Sequence, residues 1–196
     1  NSTVTVTYTN PQGIGFYQPS GGAYYYSNGT DGPAGTSPFT SSAVDNRPAT
    51  TDIIALQYAG TQTLSFSQAI ANPVFAYVSL NGNGYGFDQD FDILSFGAAS
   101  DGNACGYWGC GTSYKQVVTV NGQTEYQLLG TGEPHGTLQF RGTFDTVNWR
   151  SLSNEFWNGF TVGVQGTAVE FCTANPTAPG CVSTGVPEPA SLALLG

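Results

Sequence analysis

The chain has 196 residues, of which only 9% are charged, and its formal net charge is −9. Its basic residues do not cluster in the sequence; they are Arg47, Lys115, Arg141 and Arg150. This argues against binding to nucleic acids and docking on anionic membranes, since both need grouped Lys and Arg. The length suits one domain with a sizeable core, or at most two small domains. Ser, Thr, Asn, Gln and Gly must cover most of its surface, a composition typical of extracellular β proteins.

Short strand-like runs separated by turn residues follow one another along the chain. Residues 2–9 alternate Thr with Val and Tyr, the pattern of a half-buried strand. Asn121-Gly122, between two further runs, is a strong hairpin signal. The predicted strands cover residues 2–9, 53–58, 63–67, 73–80, 91–96, 116–120, 125–129, 137–141, 143–149, 159–164 and 167–172.

This pattern predicts an all-β fold: a single β-sandwich, jelly-roll-like, with long Gly/Pro-rich loops and an extended C-terminal tail. With 27 Gly and 11 Pro, the chain has no window that favours a helix longer than two turns. Residues 10–52 are read as loops with one or two strands on the same domain. We expect the β-sandwich to span residues 1–172 and a Pro/Thr-rich stalk to span residues 173–196.

Four cysteines occur as two close pairs, Cys105 with Cys110 and Cys172 with Cys181. Close pairs favour local disulfides formed in an oxidising compartment, although four cysteines allow three pairings. A metal site is the weaker alternative, because the spacings are not C-x2-C and the chain has one His. The absence of Met indicates that Asn1 is not a translational start, and we expect a removed secretory signal peptide.

The C-terminal residues Val186, Pro187, Glu188 and Pro189 are followed by Ala-Ser and an apolar run. This order resembles the PEP-CTERM sorting signal of Gram-negative bacteria. Three internal segments also resemble recurring segments of PEP-CTERM proteins: SLNGNGYGFDQDFDILSFG, GEPHGTLQFRGTFDTVNW and NGFTVGV. The sequence departs from the full signal, which continues into a spanning segment and a basic cluster, so we expect no membrane span in this chain.

The resemblance implies a protein that is exported to the outer surface of a Gram-negative cell. It also implies exosortase as a processing partner and a link to exopolysaccharide or biofilm production. It implies no specific chemistry for this domain.

An acidic run, Asp88, Asp90 and Asp92, is the best candidate for a metal site. In an extended segment the three carboxylates would share one face, where Ca2+ could bind them. Asn81, Asn83 or Asp101 could supply further oxygens. The alternative is a solvated acidic loop.

Catalysis has little support in the sequence. Glu133 and His135 form the one local pair of an acid and an imidazole, but they lie in GEPHG, which reads first as a turn. No G-x-S-x-G motif is present. A glycosidase could use the carboxylates of Glu155 and Glu170 as a pair, but no feature of the sequence favours this activity. We expect a non-enzymatic protein.

Several aromatic residues lie in loop-like contexts, and Tyr25, Tyr107 and Trp108 are the candidates for a glycan site or an interface. A Cys105–Cys110 bridge would present Trp108 on a tight ring. Trp149 and Trp157 are expected to pack over their own loops.

The sequence is compatible with two functions. The first is a self-assembling subunit of a surface filament, sheath or biofilm matrix whose partners are copies of itself, since few charges oppose the pairing of sheet edges. The alternative is a lectin-like surface module that binds carbohydrate, with Ca2+ as a candidate cofactor.

Overall fold

The computed structural model describes residues 3–27 and 35–181, which fold as two antiparallel β-sheets packed face to face. Sheet 1 has the strand order β1-β4-β11-β6-β9-β8, with β13 also beside β4, and sheet 2 has the order β2-β3-β12-β5-β10-β7. The strands are β1 (Val6–Thr9), β2 (Phe16–Gln18), β3 (Ile53–Leu56), β4 (Gly60–Ala71), β5 (Val74–Val78), β6 (Tyr85–Phe87), β7 (Asp92–Phe96), β8 (Gly111–Val120), β9 (Gln123–Gly132), β10 (Gly136–Gln139), β11 (Thr143–Ser151), β12 (Asn158–Gly163) and β13 (Gly166–Thr167).

The pairing order confirms the predicted sandwich and gives it the connectivity of a jelly roll. Strand β3 pairs with β12, β4 with β11, β5 with β10, and β6 with β9, all antiparallel. These nested pairs describe one long hairpin rolled into two sheets. Strands β7 and β8, inserted between β6 and β9, each extend a different sheet at its edge.

The predicted hairpin at Asn121-Gly122 is confirmed. Strands β8 and β9 pair without interruption from Gly111↔Gly132 to Val120↔Gln123. Asn121 has φ 51° and Gly122 has φ 79°, the left-handed conformations that a tight two-residue hairpin turn needs.

The prediction of a strand at 167–172 is wrong. Strand β13 ends at Thr167, and a short helix, α1 (Ala168–Ala174), follows it. Thr167 and Glu170 form a capping box: the Glu170 N–H donates to the Thr167 hydroxyl, and the Glu170 carboxylate accepts from the Thr167 N–H. This Thr-x-x-Glu spacing was visible in the sequence and outweighs the strand propensity of the segment.

An aromatic core lies between the sheets. The Phe75 ring contacts four other rings at centroid distances of 5.4–5.9 Å: Phe87, Phe140, Trp149 and Phe160. Trp149 thus belongs to the core and does not pack over its own loop. A second hydrophobic cluster lies on the outer face of sheet 2, where the loop region before β3 covers Ala76 and Val78 with Tyr26 and Phe39.

Residues 173–181, which the sequence places in a stalk, are joined to the sandwich. The Cys172–Cys181 disulfide closes this segment, and the Thr143 hydroxyl donates to the Gly180 carbonyl at 3.1 Å. Val186, Pro187, Glu188 and Pro189 lie outside the described residues, so the sorting motif stays a prediction. In the part of the chain that the structure describes, no helix is long and apolar enough to cross a membrane.

Candidate functional site

The three aromatic candidates, Tyr25, Tyr107 and Trp108, lie together at the surface. The Tyr25 ring is 5.3 Å from that of Tyr107 and 6.3 Å from that of Trp108, and Tyr107 and Trp108 are 4.9 Å apart. Trp157 joins them at 5.0 Å from Tyr25 and 5.9 Å from Trp108, and Phe16 lies 5.7 Å behind Trp157. We call these five residues the aromatic platform.

The loop that carries Tyr107 and Trp108 is closed at its base. Cys105 and Cys110 form a disulfide, as predicted, and Gly106 and Gly109 exchange two backbone hydrogen bonds of 3.0 and 3.2 Å. Gly109 has φ 137°, a conformation that favours glycine. Tyr107 and Trp108 therefore project from a small, constrained ring, and they stay 43% and 48% exposed.

Gly106 allows this loop to sit directly on the domain. A Cβ atom at this position would lie 2.1 Å from ring atoms of His135, so only glycine permits the approach. The other members of the platform are held from below, because Phe16, Tyr25 and Trp157 pack against the hydrophobic cluster on the outer face of sheet 2. Trp157 immediately precedes β12, and Phe16 begins β2. The platform thus rests on regular strands and on a disulfide.

Glu133 lies beside the base of this loop. Its N–H donates to the Cys110 carbonyl at 3.0 Å, and its side chain would lie 3.8 Å from a Cβ atom at Gly109. The carboxylate accepts hydrogen bonds from Ser79 Oγ (2.8 Å) and from Asn81 Nδ2. Charged and amide groups therefore lie next to the apolar rings.

A second carboxylate, Glu155, lies two positions before Trp157 in the sequence. It is half-buried, and Asn158 Nδ2 donates to its Oε2 at 2.9 Å, while its buried Oε1 has no partner among the described residues. Burial raises the pKa of Glu155 to about 8; the Asn158 hydrogen bond opposes the shift, and the negative charge of Glu133 adds to it. The carboxyl group therefore holds a proton near neutral pH.

His135 does not form an acid–imidazole pair with the Glu133 carboxylate. Its Nδ1–H donates to the Glu133 backbone carbonyl at 2.7 Å, so Nε2 carries the lone pair. Burial lowers the pKa of His135 to about 4, despite this hydrogen bond, so the ring is neutral at pH 7. His135 supports the loop through its contact with Gly106.

The structure does not bring the acidic run together as a set of metal ligands. Asp90 pairs with Lys115 at 2.7 Å and Asp92 pairs with Arg141. Asp88 accepts a hydrogen bond from Asn148 at 3.2 Å. Within the described ranges, no group of three His, Cys, Asp or Glu residues could hold a metal ion.

The additional oxygens suggested for Ca2+ are also engaged elsewhere. Asn81 donates to Glu133, and Asn83 accepts from the Ser153 N–H at 2.9 Å. Asp101 accepts from the Phe96 N–H at 2.7 Å. The calcium prediction therefore gains no geometric support.

Glu155 and Glu170, the carboxylates considered for a glycosidase, lie at opposite ends of β4. The Glu155 N–H donates to the Gln57 carbonyl, just before β4 begins, whereas Glu170 belongs to the helix that follows the pairing of β13 with Ile70 and Ala71. They do not form one site. The carboxylate that lies near Glu155 is Glu133, a neighbour that the sequence analysis did not identify.

No family model, curated protein or solved structure matches this chain. The evidence for a function therefore comes from the aromatic platform itself. Sequence reasoning missed Trp157 and Phe16 as members of it, although the pair Phe156-Trp157 directly before a predicted strand was a usable signal. Nothing in the sequence indicates that β2 and β12 would place them beside Trp108.

Proposed function

We propose that this protein is an exported, non-enzymatic surface protein that binds carbohydrate on the aromatic platform. The observation that supports this function is the convergence of Tyr25, Tyr107, Trp108 and Trp157 from three separate regions of the chain. Two of these rings remain nearly half exposed on a disulfide-closed loop. Such rings offer flat apolar faces to the C–H faces of sugars with little entropy left to lose.

The polar groups at the border of the platform suit sugar hydroxyls. The Glu133 carboxylate accepts from Ser79 and Asn81 and keeps further lone pairs that can accept from sugar hydroxyls. A purely apolar protein partner would leave those remaining lone pairs without a donor. Apolar rings beside carboxylate and amide groups favour a carbohydrate.

The surroundings of His135, the one histidine of the chain, favour binding over catalysis. The Nδ1–H of His135 is bonded to a backbone carbonyl and its ring is fully buried, so a substrate at the surface does not reach it as a general base would require. The two disulfides support export, since they form in oxidising compartments. The structural subunit expected from composition is a second candidate, favoured by the open edges of sheet 1 described below.

A glycan array probed with the labelled protein tests this function, followed by titration with the best polysaccharide. Trp108→Ala should weaken binding about thirtyfold or more, because truncating an anchoring aromatic costs about 2 kcal/mol or more. Tyr114→Ala is the matched control: Tyr114 is also 48% exposed, but it lies on β8 outside the platform. A chain that binds no glycan, or a Trp108→Ala variant that binds as tightly as the wild type, would overturn the proposal.

A further inference from the structure

Within residues 3–27 and 35–181, sheet 1 ends in two strands that each have one free edge. Strand β8 pairs over ten residues with β9, and no other strand of the described chain pairs with it. At the other end of the sheet, β4 is the one strand among the described residues that pairs with β1. Unpaired backbone N–H and C=O groups along such edges are templates for pairing with another chain.

The β8 edge lacks the features that commonly protect an edge strand. It has no proline, its register with β9 has no bulge, and its single charged residue is Lys115. The Lys115 ammonium group is held by Asp90 and by the Phe91 carbonyl at 2.7 and 2.8 Å. Val117, near the middle of the strand, is 56% exposed. Strand β1 likewise has neither charge nor proline.

The direction of each backbone group on β8 follows from the hairpin. In a two-residue hairpin the closing pair, Val120 and Gln123, is hydrogen-bonded, so alternate residues direct their N–H and C=O groups away from β9. Val117 is one of these residues. Gly111 is another, and its N–H indeed donates away from β9 to the Gly97 carbonyl at 2.9 Å.

The same alternation orients β1. The Thr5 carbonyl accepts from the Ser67 N–H, and the Thr5 N–H donates to Ser67 Oγ, both at 2.9 Å, so Thr5 faces the segment that pairs with it. Val6 and Tyr8 therefore direct their N–H and C=O groups to the free edge.

The two free edges are compatible in direction. The path from β1 to β8 contains six strands, and each antiparallel step reverses the chain, so β1 and β8 run in opposite directions. A second copy placed beside the first without reversal would therefore present its β1 antiparallel to β8. Both edges consist mainly of Thr, Val and Tyr, which pair well across strands.

We infer that β8 of one molecule binds β1 of a second copy, which continues sheet 1 from molecule to molecule. Pairing of β8 with β8 across a two-fold axis would leave both β1 edges open, whereas the β1–β8 contact covers both. The contact joins different surfaces of the two copies, so it propagates into an open filament and does not close at a dimer. This assembly is independent of the carbohydrate site proposed above.

Electron microscopy and sedimentation velocity of the purified chain over a concentration series test this contact. Val117→Pro and Val6→Pro each remove one N–H that faces a free edge, so both should abolish filaments while the fold, checked by circular dichroism, is retained. Val117→Thr and Val6→Thr keep the N–H group and should still assemble. Wild-type protein that remains monomeric at every concentration, or proline variants that assemble normally, would overturn the inference.

A mixing experiment distinguishes β1–β8 pairing from β8–β8 pairing. Val6→Pro keeps an intact β8 edge, and Val117→Pro keeps an intact β1 edge, so the two variants together should form a heterodimer that cannot grow. Each variant alone should be monomeric. If Val6→Pro alone forms dimers, the contact is β8–β8 and the inference is wrong. If either variant fails to fold, Val6→Lys or Val117→Lys replaces it, since a charge on an edge also opposes pairing.

Discussion

The rings of Tyr25 and Trp108 stack at an interplanar angle of 23°, with their centroids 6.3 Å apart. Tyr25 comes from the loop after β2, and Trp108 comes from the disulfide loop before β8. The two residues lie far apart in the sequence, so their stacking is a tertiary contact. Their stacking depends on Gly106, which lets the disulfide loop settle on His135, and on the cluster beneath Tyr25.

Opening the Cys105–Cys110 disulfide beneath Trp108 should weaken glycan binding while the domain stays folded. The double variant Cys105→Ser/Cys110→Ser frees a loop with a sequence separation of 5. A loop of this size implies a loss of about 2 kcal/mol in the free energy of unfolding by the chain-entropy model. Urea unfolding would measure that loss, and titration with the bound glycan would measure affinity.

The second disulfide provides the control for this experiment. Cys172→Ser/Cys181→Ser opens a loop of separation 9 that begins within α1, a helix that packs against β4 and β13. Its stability should fall by a similar amount, but its glycan affinity should stay at the wild-type value. Equal losses of affinity in both double variants would show that general destabilisation, and not the shape of the platform, controls binding.

Glu155 should make the protein less stable as the pH rises. Its pKa is about 8 in the folded chain because of burial, above the ordinary value of 4.5, so the folded state binds the proton more tightly. The free energy of unfolding should therefore decrease between about pH 4.5 and pH 8 through this group. In Glu155→Gln this decrease should be absent, so the variant should gain stability relative to the wild type as the pH rises. Urea unfolding at pH 5, 7 and 8.5 measures the slope.

Asp145→Asn, which removes an exposed carboxylate on β11, is the control for Glu155→Gln. It removes one negative charge without altering a buried site, so a change in slope common to both variants would reflect net charge alone. A Glu155→Gln variant with an unchanged slope would contradict the assignment of a proton to Glu155.

His135 should make the protein less stable as the pH falls. Burial lowers its pKa to about 4 from the ordinary 6.5, so the unfolded chain takes up the proton first as the pH falls. Stability from this group should be complete above about pH 6.5 and should be lost between pH 6.5 and pH 4. His135→Asn keeps a donor for the Glu133 carbonyl but does not titrate. Its free energy of unfolding should change less over this range than that of the wild type, and an identical acid dependence would contradict the prediction.

Phe75 should be among the most costly core residues to truncate. Its ring is fully buried and contacts four other aromatic rings. Phe75→Ala should lower the free energy of unfolding by about 3–5 kcal/mol, through lost burial and the cavity that remains. Phe156→Ala, at a position that is 84% exposed, should stay within about 0.5 kcal/mol of the wild type. Chemical denaturation of both variants checks the difference.

Much of the fold was readable from local patterns. The alternation at 2–9, the Asn121-Gly122 turn and the close cysteine pairs each indicate their structure within a few residues. The error at 167–172 arose because Thr167 and Glu170 form a cap, which competes with the β propensity of Val and Phe. Strand β6 was missed, and β2 was anticipated only as one of the one or two unplaced strands within residues 10–52, because a run of three residues carries almost no periodicity.

The acidic run shows the limit of arguments from spacing. Asp88, Asp90 and Asp92 alternate as expected for one face of a strand, but β7 begins only at Asp92. Their partners, Asn148, Lys115 and Arg141, come from three different strands or loops. Whether carboxylates share an ion or find separate partners depends on those neighbours, which the run itself cannot specify.

The all-β class, the hairpin and the two disulfides could be predicted from local patterns, because each depends on residues that are close together along the chain. Three features became apparent only in the folded chain: Tyr25, Trp108 and Trp157 share one surface, Glu155 lies near Glu133, and β1 and β8 run in opposite directions at the two ends of sheet 1. The reason is physical: a jelly roll pairs strands that are distant in sequence, so the nested order of pairing sets which side chains meet and which edges stay open.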